Sequence, residues 1–306
     1  MSQLSFTPRT IGIIQVIAAG ICFGFLGLFG KSAYAQGVSP LELLGLRFLT
    51  SGLILFAIIA VVYCPHFLKL SFRSFLLCNL LGIFGYALFS SFYFFAIKGL
   101  SISLAVLLLY TFPIWVAVGA RIFLGEKIPK GRQFTIPVSM LGITFLVWGE
   151  FSINNYYSLA FGLGSAIFYA IYILISRKWL TQINPLVSVT YIQLSAGVIL
   201  CLLGLENYSR AILVYKNIWP IILGMAIICS IGAMTLFQSG LQKLKSWEAS
   251  ILSTSEPLMG ISLAVLFLGE NLSFIQVVGG VLVIASFIFI SLPHSELGRS
   301  KKDKTL

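Results

Sequence analysis

The chain has 306 residues, 58% of them hydrophobic and 9% charged, against about 25% charged in soluble domains, so there is too little charge to solvate a globular surface. Mean hydropathy is +1.01, and at roughly 20 apolar residues per spanning helix ten spans take about 200 residues, leaving no room for a soluble catalytic domain. The net charge of +11 sits in short loops between apolar runs and in the tail, the footprint of positive-inside topology rather than of a nucleic-acid-binding stripe.

In chain order the apolar runs are 12–30, 41–63, 72–97, 103–124, 134–148, 157–176, 186–205, 218–240, 247–268 and 272–292. None alternates with period two, which excludes a membrane barrel. The first is longer than a signal-peptide core and continues into Lys31 without an Ala-x-Ala site, so it reads as a span. The fifth is the shortest. An even number of spans puts both termini on one side, where the loops and tail hold fifteen of the twenty Lys and Arg residues. The other side has Lys31, Lys98, Arg210 and Lys216, with Arg47 inside the second span. That bias predicts cytoplasmic termini. Residues 293–306 form a basic tail, expected to be disordered and to meet anionic lipid.

Cys22, Cys64, Cys78, Cys201 and Cys229 lie in or at the edge of apolar runs with no Cys-x-x-Cys and no Cys/His cluster, so they read as small packing residues and no metal site is expected. His66 and His294 both fall on the cytoplasmic side, so no His-based triad can assemble in the membrane. A phosphate-binding Gly-x-x-x-x-Gly-Lys loop is missing too, which argues against ATP-driven transport. No enzyme and no cofactor is expected.

The most informative feature is a long-range repeat. Pro113 precedes Leu124-Gly125-Glu126 as Pro257 precedes Leu268-Gly269-Glu270, at an offset of 144 residues. Ala96, Leu100, Ala105 and Thr111 correspond to Gly240, Leu244, Ala249 and Ser255. At an offset of 145, Phe23, Pro40 and Gly52-Leu53-Ile54-Leu55 answer to Phe168, Pro185 and Gly197-Val198-Ile199-Leu200. The expected units are residues 12–149 and 157–292, with five spans each. An odd count turns the second copy over, and inverted duplications characterise secondary transporters whose site lies near the midplane between the halves.

Two five-helix repeats, each with a Pro at fixed distance before Leu-Gly-Glu, together with Gly37-Val38-Ser39-Pro40 and Leu46-Arg47-Phe48, resemble the EamA branch of the drug/metabolite transporter superfamily. The resemblance covers about residues 12–292. It implies an all-α polytopic protein of ten transmembrane helices in two inverted repeats, multi-pass in a bacterial inner membrane, moving small metabolites. The repeats differ where Phe112 stands opposite Glu256.

Glu256 lies near the middle of the ninth span, where an acid costs roughly 2.5–3.5 kcal/mol on insertion scales, so it should face protein or water. It reads as a proton carrier, a counter-ion for a substrate ammonium, or a structural carboxyl. Pro113 and Pro257 should kink their helices and free carbonyls near Leu109 and Ser253, for cargo or for neighbouring hydroxyls. Ser250, Ser253 and Thr254 share a face with Pro257. Tyr86, Ser90 and Tyr93 form a stripe on the third span, and Tyr110-Thr111 sit beside Pro113. With Phe23, Tyr169, Tyr172 and Trp148 these residues either line an aromatic, mildly polar cavity or pack between helices. Gly20 and Gly24 fit close helix contact. Arg47 is placed to snorkel outward as an anchor, or to act as a gate or ion pair with Glu42. Glu126 and Glu270 read as interfacial caps, and Trp179, Trp219 and Trp247 as interfacial anchors.

These residues predict a secondary-active transporter working by alternating access, with amino acids or related zwitterions as preferred cargo and the bilayer as its surroundings. A proton or an exchanged metabolite would drive it. The alternative cargo is a nucleoside-linked cation such as S-adenosylmethionine; a channel or a structural membrane protein is the alternative class. Oligomeric state is left open.

Overall fold

The computed structural model describes residues 7–63, 65–149, 151–204, 208–269 and 271–292. The expectations for Cys64, Glu270 and the 293–306 tail fall outside them. The described residues are helical apart from loops and one isolated bridge between Leu100 and Ile153. Nine helices among them are long and apolar enough to cross a membrane. They are α1 (Pro8–Tyr34), α2 (Pro40–Val62), α3 (Phe72–Gly99) and α4 (Ile102–Phe123) in the first half. After the short helix α5 (Thr135–Leu146) come α6 (Tyr157–Trp179), α7 (Pro185–Gly204), α8 (Tyr215–Leu241), α9 (Ser246–Phe267) and α10 (Phe274–Ser291).

The expected fifth span is thus twelve residues long, about 18 Å at 1.5 Å per residue, and by itself too short for a hydrocarbon core of about 30 Å. It lies along α10 instead. A Cβ on Gly142 would come within 2.9 Å of the Val283 backbone nitrogen, and one on Gly279 within 2.4 Å of that of Leu146, so the two backbones are nearly in contact.

Helix boundaries follow local chemistry. Ser39, Ser71, Ser101 and Ser273 each accept the N–H three residues on, satisfying a donor that the first turn leaves free. Leu-Gly-Glu ends α4 and α9 because Gly125 and Gly269 take φ values of +65° and +69°, a left-handed conformation that glycine adopts without Cβ strain.

The repeat is visible in the backbone. α4 breaks at Tyr110–Thr111 and α9 at Ser253–Thr254, each just before its proline. α3 and α8 each contain a π-helical stretch, Leu81–Ala87 and Met225–Gly232; apolar patterning alone did not predict either. Packing repeats with the halves exchanged: α1 lies on α8 and α9, α6 lies on α3 and α4, α2 crosses α7, and α5 crosses α10. Neither half therefore packs as a separate bundle.

Hydrogen bonds show that the copies run in opposite directions. The start of α9 meets the end of α4, where Ser246 donates its backbone N–H to Glu126 at 2.9 Å. The start of α4 lies at the other end of the bundle, tied through Ser101 to Ser152. α4 and α9 hold equivalent positions in the repeat and are antiparallel, so the duplication is inverted.

Candidate functional site

Inversion brings the two broken helices together at mid-bundle. Proline removes one backbone donor, and each chain responds by tightening. Thr111 and Thr254 bond back to Leu108 and Ile251 at 3.2 and 3.1 Å, and the Glu256 N–H reaches the Ser253 carbonyl at 3.1 Å. The Ser253 carbonyl expected to be open is therefore occupied.

The hydroxyls behave the same way. Ser90, Thr111, Ser250, Ser253 and Thr254 donate to carbonyls of their own helices at 2.7–2.9 Å. Their protons satisfy backbone, and only their lone pairs remain for anything else.

The tyrosines and the carboxylate converge. Glu256 is hydrogen-bonded to Tyr110, and Tyr86, Tyr93, Tyr169 and Arg47 lie within its electrostatic reach. Glu256 keeps part of its accessible surface. Aromatic rings form one wall. Tyr86 meets Phe48, Phe89 and Tyr172 edge-on at 4.9–5.3 Å between centroids, while Tyr169 lies 4.7 Å from both Phe89 and Phe112. Tyr172 belongs to the core behind this wall, its hydroxyl accepting from Gln238 at 2.7 Å. Gly20 and Gly24 seat α1 directly on the break: a Cβ at Gly20 would come within 3.0 Å of the Glu256 nitrogen, and one at Gly24 equally close to that of Gly260.

Arg47 does not snorkel. It is 4% exposed, its guanidinium carbon lies 4.2 Å from the Phe48 ring centre, and its Nε has no partner. Tyr34, Tyr86, Cys229 and Glu256 surround it from α1, α3, α8 and α9. The expected pair with Glu42 is not formed; Glu42 instead accepts the Ser39 N–H at 2.8 Å and closes a capping box. The helix turn, not distance from the surface, decides where Arg47 points, and it points inward. Two aromatic expectations are also corrected. Trp148 is 48% exposed and packs on Phe145 and Phe151, away from the tyrosines, and Trp247 is 1% exposed, so it is core and not an interfacial anchor. Phe23 is buried in the core, and Trp179 and Trp219 are exposed as anchors should be.

A second cluster was not foreseen. At the end of the bundle where α1 begins, hereafter the basal end, Glu248 pairs with Arg9 at 2.9 Å and Arg132 at 3.5 Å. Arg9 and Arg132 also donate to the last carbonyls of α10, at Ile290 and Leu292. Beside them Glu126 accepts from Ser246 and lies 3.6 Å from Arg177 of α6. Glu126 thus joins three helices rather than ending its own. Burial pushes its carboxyl upward, while the Ser246 bonds and Arg177 pull it down. A charge count places these residues on one side but gives no hint that they touch.

The sequence profile of the EamA-like transporter family matches residues 10–148 and again 157–292. The chain belongs to the EamA-like transporter family. It is therefore a multi-pass membrane transporter and not an enzyme. Bacillus subtilis has a relative called uncharacterized transporter YcbK, 24% identical over 98% of both chains. An Archaeoglobus fulgidus uncharacterized transporter is 24% identical over 68% of this EamA-like chain and 73% of its own. A Methanocaldococcus jannaschii protein, MJ1333.1, is 30% identical over 137 residues, 45% of this chain but 98% of its own length, so it is the size of a single repeat. One solved crystal structure superposes with a TM-score of 0.78 over 92% of this chain and 96% of that one, at 17% identity, and shares the fold.

Proposed function

We propose that this EamA-like protein is a secondary-active carrier of small organic metabolites, amino acids or related zwitterions, working by alternating access in a bacterial inner membrane. Residues 12–149 and 157–292 are its two repeats, and both termini face the cytoplasm, where the positive-inside bias puts the basal end. The cargo sits at mid-bundle against Glu256, Tyr110, Tyr86, Tyr93 and Tyr169, with Ser90, Thr111 and Ser253 offering acceptor lone pairs. Pro113 and Pro257 set the helix breaks that shape the site. A proton or an exchanged metabolite drives the cycle.

One observation carries this reading: an inverted repeat whose two broken helices bring Glu256 and Tyr110 together at mid-bundle, with Tyr86, Tyr93 and Tyr169 of α3 and α6 within electrostatic reach. A charge buried at that depth is costly, so an acid there marks a pathway. The ion pairs among Arg9, Arg132, Glu248, Glu126 and Arg177 tie α1, α6, α9 and α10 together at the basal end. A carrier must close each end in turn, and these bonds hold this one closed, which makes the conformation outward-facing.

The test is counterflow in proteoliposomes loaded with a mixture of neutral amino acids. Wild type should exchange labelled external substrate for internal, with saturation. Glu256→Gln should cut exchange roughly 10- to 100-fold while inserting normally. Flux that never saturates would mean a channel, and wild-type exchange unaffected by Glu256→Gln would remove the carboxylate from the mechanism.

A further inference from the structure

Arg47 is a fixed positive charge that the fold leaves unsatisfied. Among the described residues no ion pair or hydrogen bond reaches it, its Nε is buried without a partner, and it is 4% exposed. Arginine cannot shed its proton to escape such a site. A guanidinium in a low-dielectric interior normally finds a carboxylate, because its planar fork matches two acceptor oxygens. Among the described residues the one carboxylate within electrostatic reach, Glu256, is held by Tyr110 and makes no ion pair with Arg47. Two opposite charges, on α2 and α9, thus lie within electrostatic reach of each other without pairing.

We propose that Arg47 is the anion-binding subsite of the central chamber, taking the carboxylate of a cargo whose ammonium meets Glu256. This assignment rests on the carrier reading and narrows it: the cargo carries both charges. Charge balance favours a carboxylate over a phosphate. Arg47 and Glu256 cancel, so a neutral zwitterion leaves the site neutral, whereas a phosphate dianion would need a second cation, and among the described residues Arg47 is the only cation within electrostatic reach of Glu256. The Phe48 ring lies 4.2 Å from the guanidinium carbon and meets the Tyr86 ring edge-on, which holds the fork in place. Tyr34, at the end of α1 and half exposed, is a further hydroxyl within electrostatic reach of Arg47 that can donate to a second carboxylate oxygen.

Three probes share one apolar tail: L-leucine, isopentylamine, which lacks the carboxylate, and 4-methylpentanoate, which lacks the ammonium. Equilibrium binding to the purified full chain should rank leucine above either analogue. Arg47→Gln should weaken leucine and 4-methylpentanoate at least tenfold and leave isopentylamine within twofold of wild type. Glu256→Gln should do the reverse. If Arg47→Gln lowers the yield of folded protein, Arg47→Lys keeps the charge but loses the fork, and it should weaken leucine by a smaller factor without affecting isopentylamine. The proposal is overturned if Arg47→Gln binds leucine as wild type does, if it weakens the amine equally, or if wild type binds none of the three. Failure of the carrier reading looks different: leucine binds with this pattern, yet counterflow is absent.

Discussion

The two broken helices α4 and α9 share a backbone and differ in chemistry. Both kink before a proline, both end in a left-handed glycine, and both pack against the first helix of the other half. Yet the positions that hold Glu248 and Glu256 in α9 hold Leu104 and Phe112 in α4. In α9, Glu248 anchors the basal ion pairs and Glu256 enters the central site. In α4, Leu104 joins an apolar cluster and Phe112 packs on Tyr169 at 4.7 Å. Duplication kept the scaffold in both helices, while of these two pairs of positions only those in α9 carry an acid. On the carrier reading, this difference would let the basal end close through ion pairs and the other end through apolar contacts.

The largest test of that contrast is at the kink itself. Glu256→Gln removes the charge but keeps the shape, and losing a charged hydrogen-bonding partner worth about 1.5–3 kcal/mol should cut transport roughly 10- to 100-fold. Phe112→Leu, the equivalent change in α4, should leave transport within about threefold, since a similar apolar swap usually costs under about 1.5 kcal/mol. Initial rates in proteoliposomes measure both. Equal losses would mean that both copies carry the chemistry.

Gly20 and Gly24 are the next point of contrast, because their counterparts at the 145-residue offset are Ser165 and Tyr169. The smaller pair lets α1 approach the α9 backbone, whereas Tyr169 fills the matching space beside Phe112. Gly20→Leu should lower stability by about 1–3 kcal/mol or more through overpacking. Gly27→Leu, with nothing within 4 Å of its Cβ position, should change it little. Thermal unfolding in detergent separates them, and equal destabilisation would mean that the close contact is unimportant.

Much of this architecture was readable beforehand because its causes are local or periodic. Apolar runs mark spans, Pro113 and Pro257 mark breaks, and Leu-Gly-Glu marks helix ends, each through a rule that acts within a few residues. Glu256, Tyr110 and the tyrosine stripe on α3 were legible for the same reason, as polar groups inside apolar runs. Arg47 was misread because its distance from the span end suggested snorkelling, and only packing shows which face it occupies. Trp247 failed likewise: position along a helix says nothing about what lies beside it. The Arg9–Glu248–Arg132 cluster joins residues up to 239 apart, and no local pattern encodes such a contact. The short α5 became intelligible only through its crossing with α10.

The ion pairs of the basal end give a third prediction. Glu248→Gln leaves Arg9 and Arg132 facing each other without their shared acceptor. Burial and Arg9 already lower the Arg132 pKa from its ordinary value, and Glu248 opposes them, so its loss adds repulsion at the closed end. A cysteine placed at Ser250, buried two residues further along α9, should become about tenfold more reactive to a reagent applied from the basal side, equivalent to about 1.4 kcal/mol of opening. Leu104→Gln, the matching change in α4, should not alter that rate. Unchanged labelling after Glu248→Gln would mean that the ion pairs are structural rather than part of a gate.

The smallest effect should come from what the copies share. Pro113→Ala and Pro257→Ala each restore one backbone donor, worth about 1 kcal/mol net, where the chain has already tightened into three-residue bonds. Thr111 and Thr254 keep their contacts to Leu108 and Ile251 in either case, so most of each bend persists. Both variants should therefore shift stability by similar small amounts and in the same direction, whereas the Glu256 and Phe112 variants diverge. Melting temperatures of the two proline variants, measured side by side, decide the matter. If Pro257→Ala alone unfolds the protein or abolishes transport, the kink in α9 depends on its neighbouring carboxylate, and backbone and charge are not separable features of the repeat.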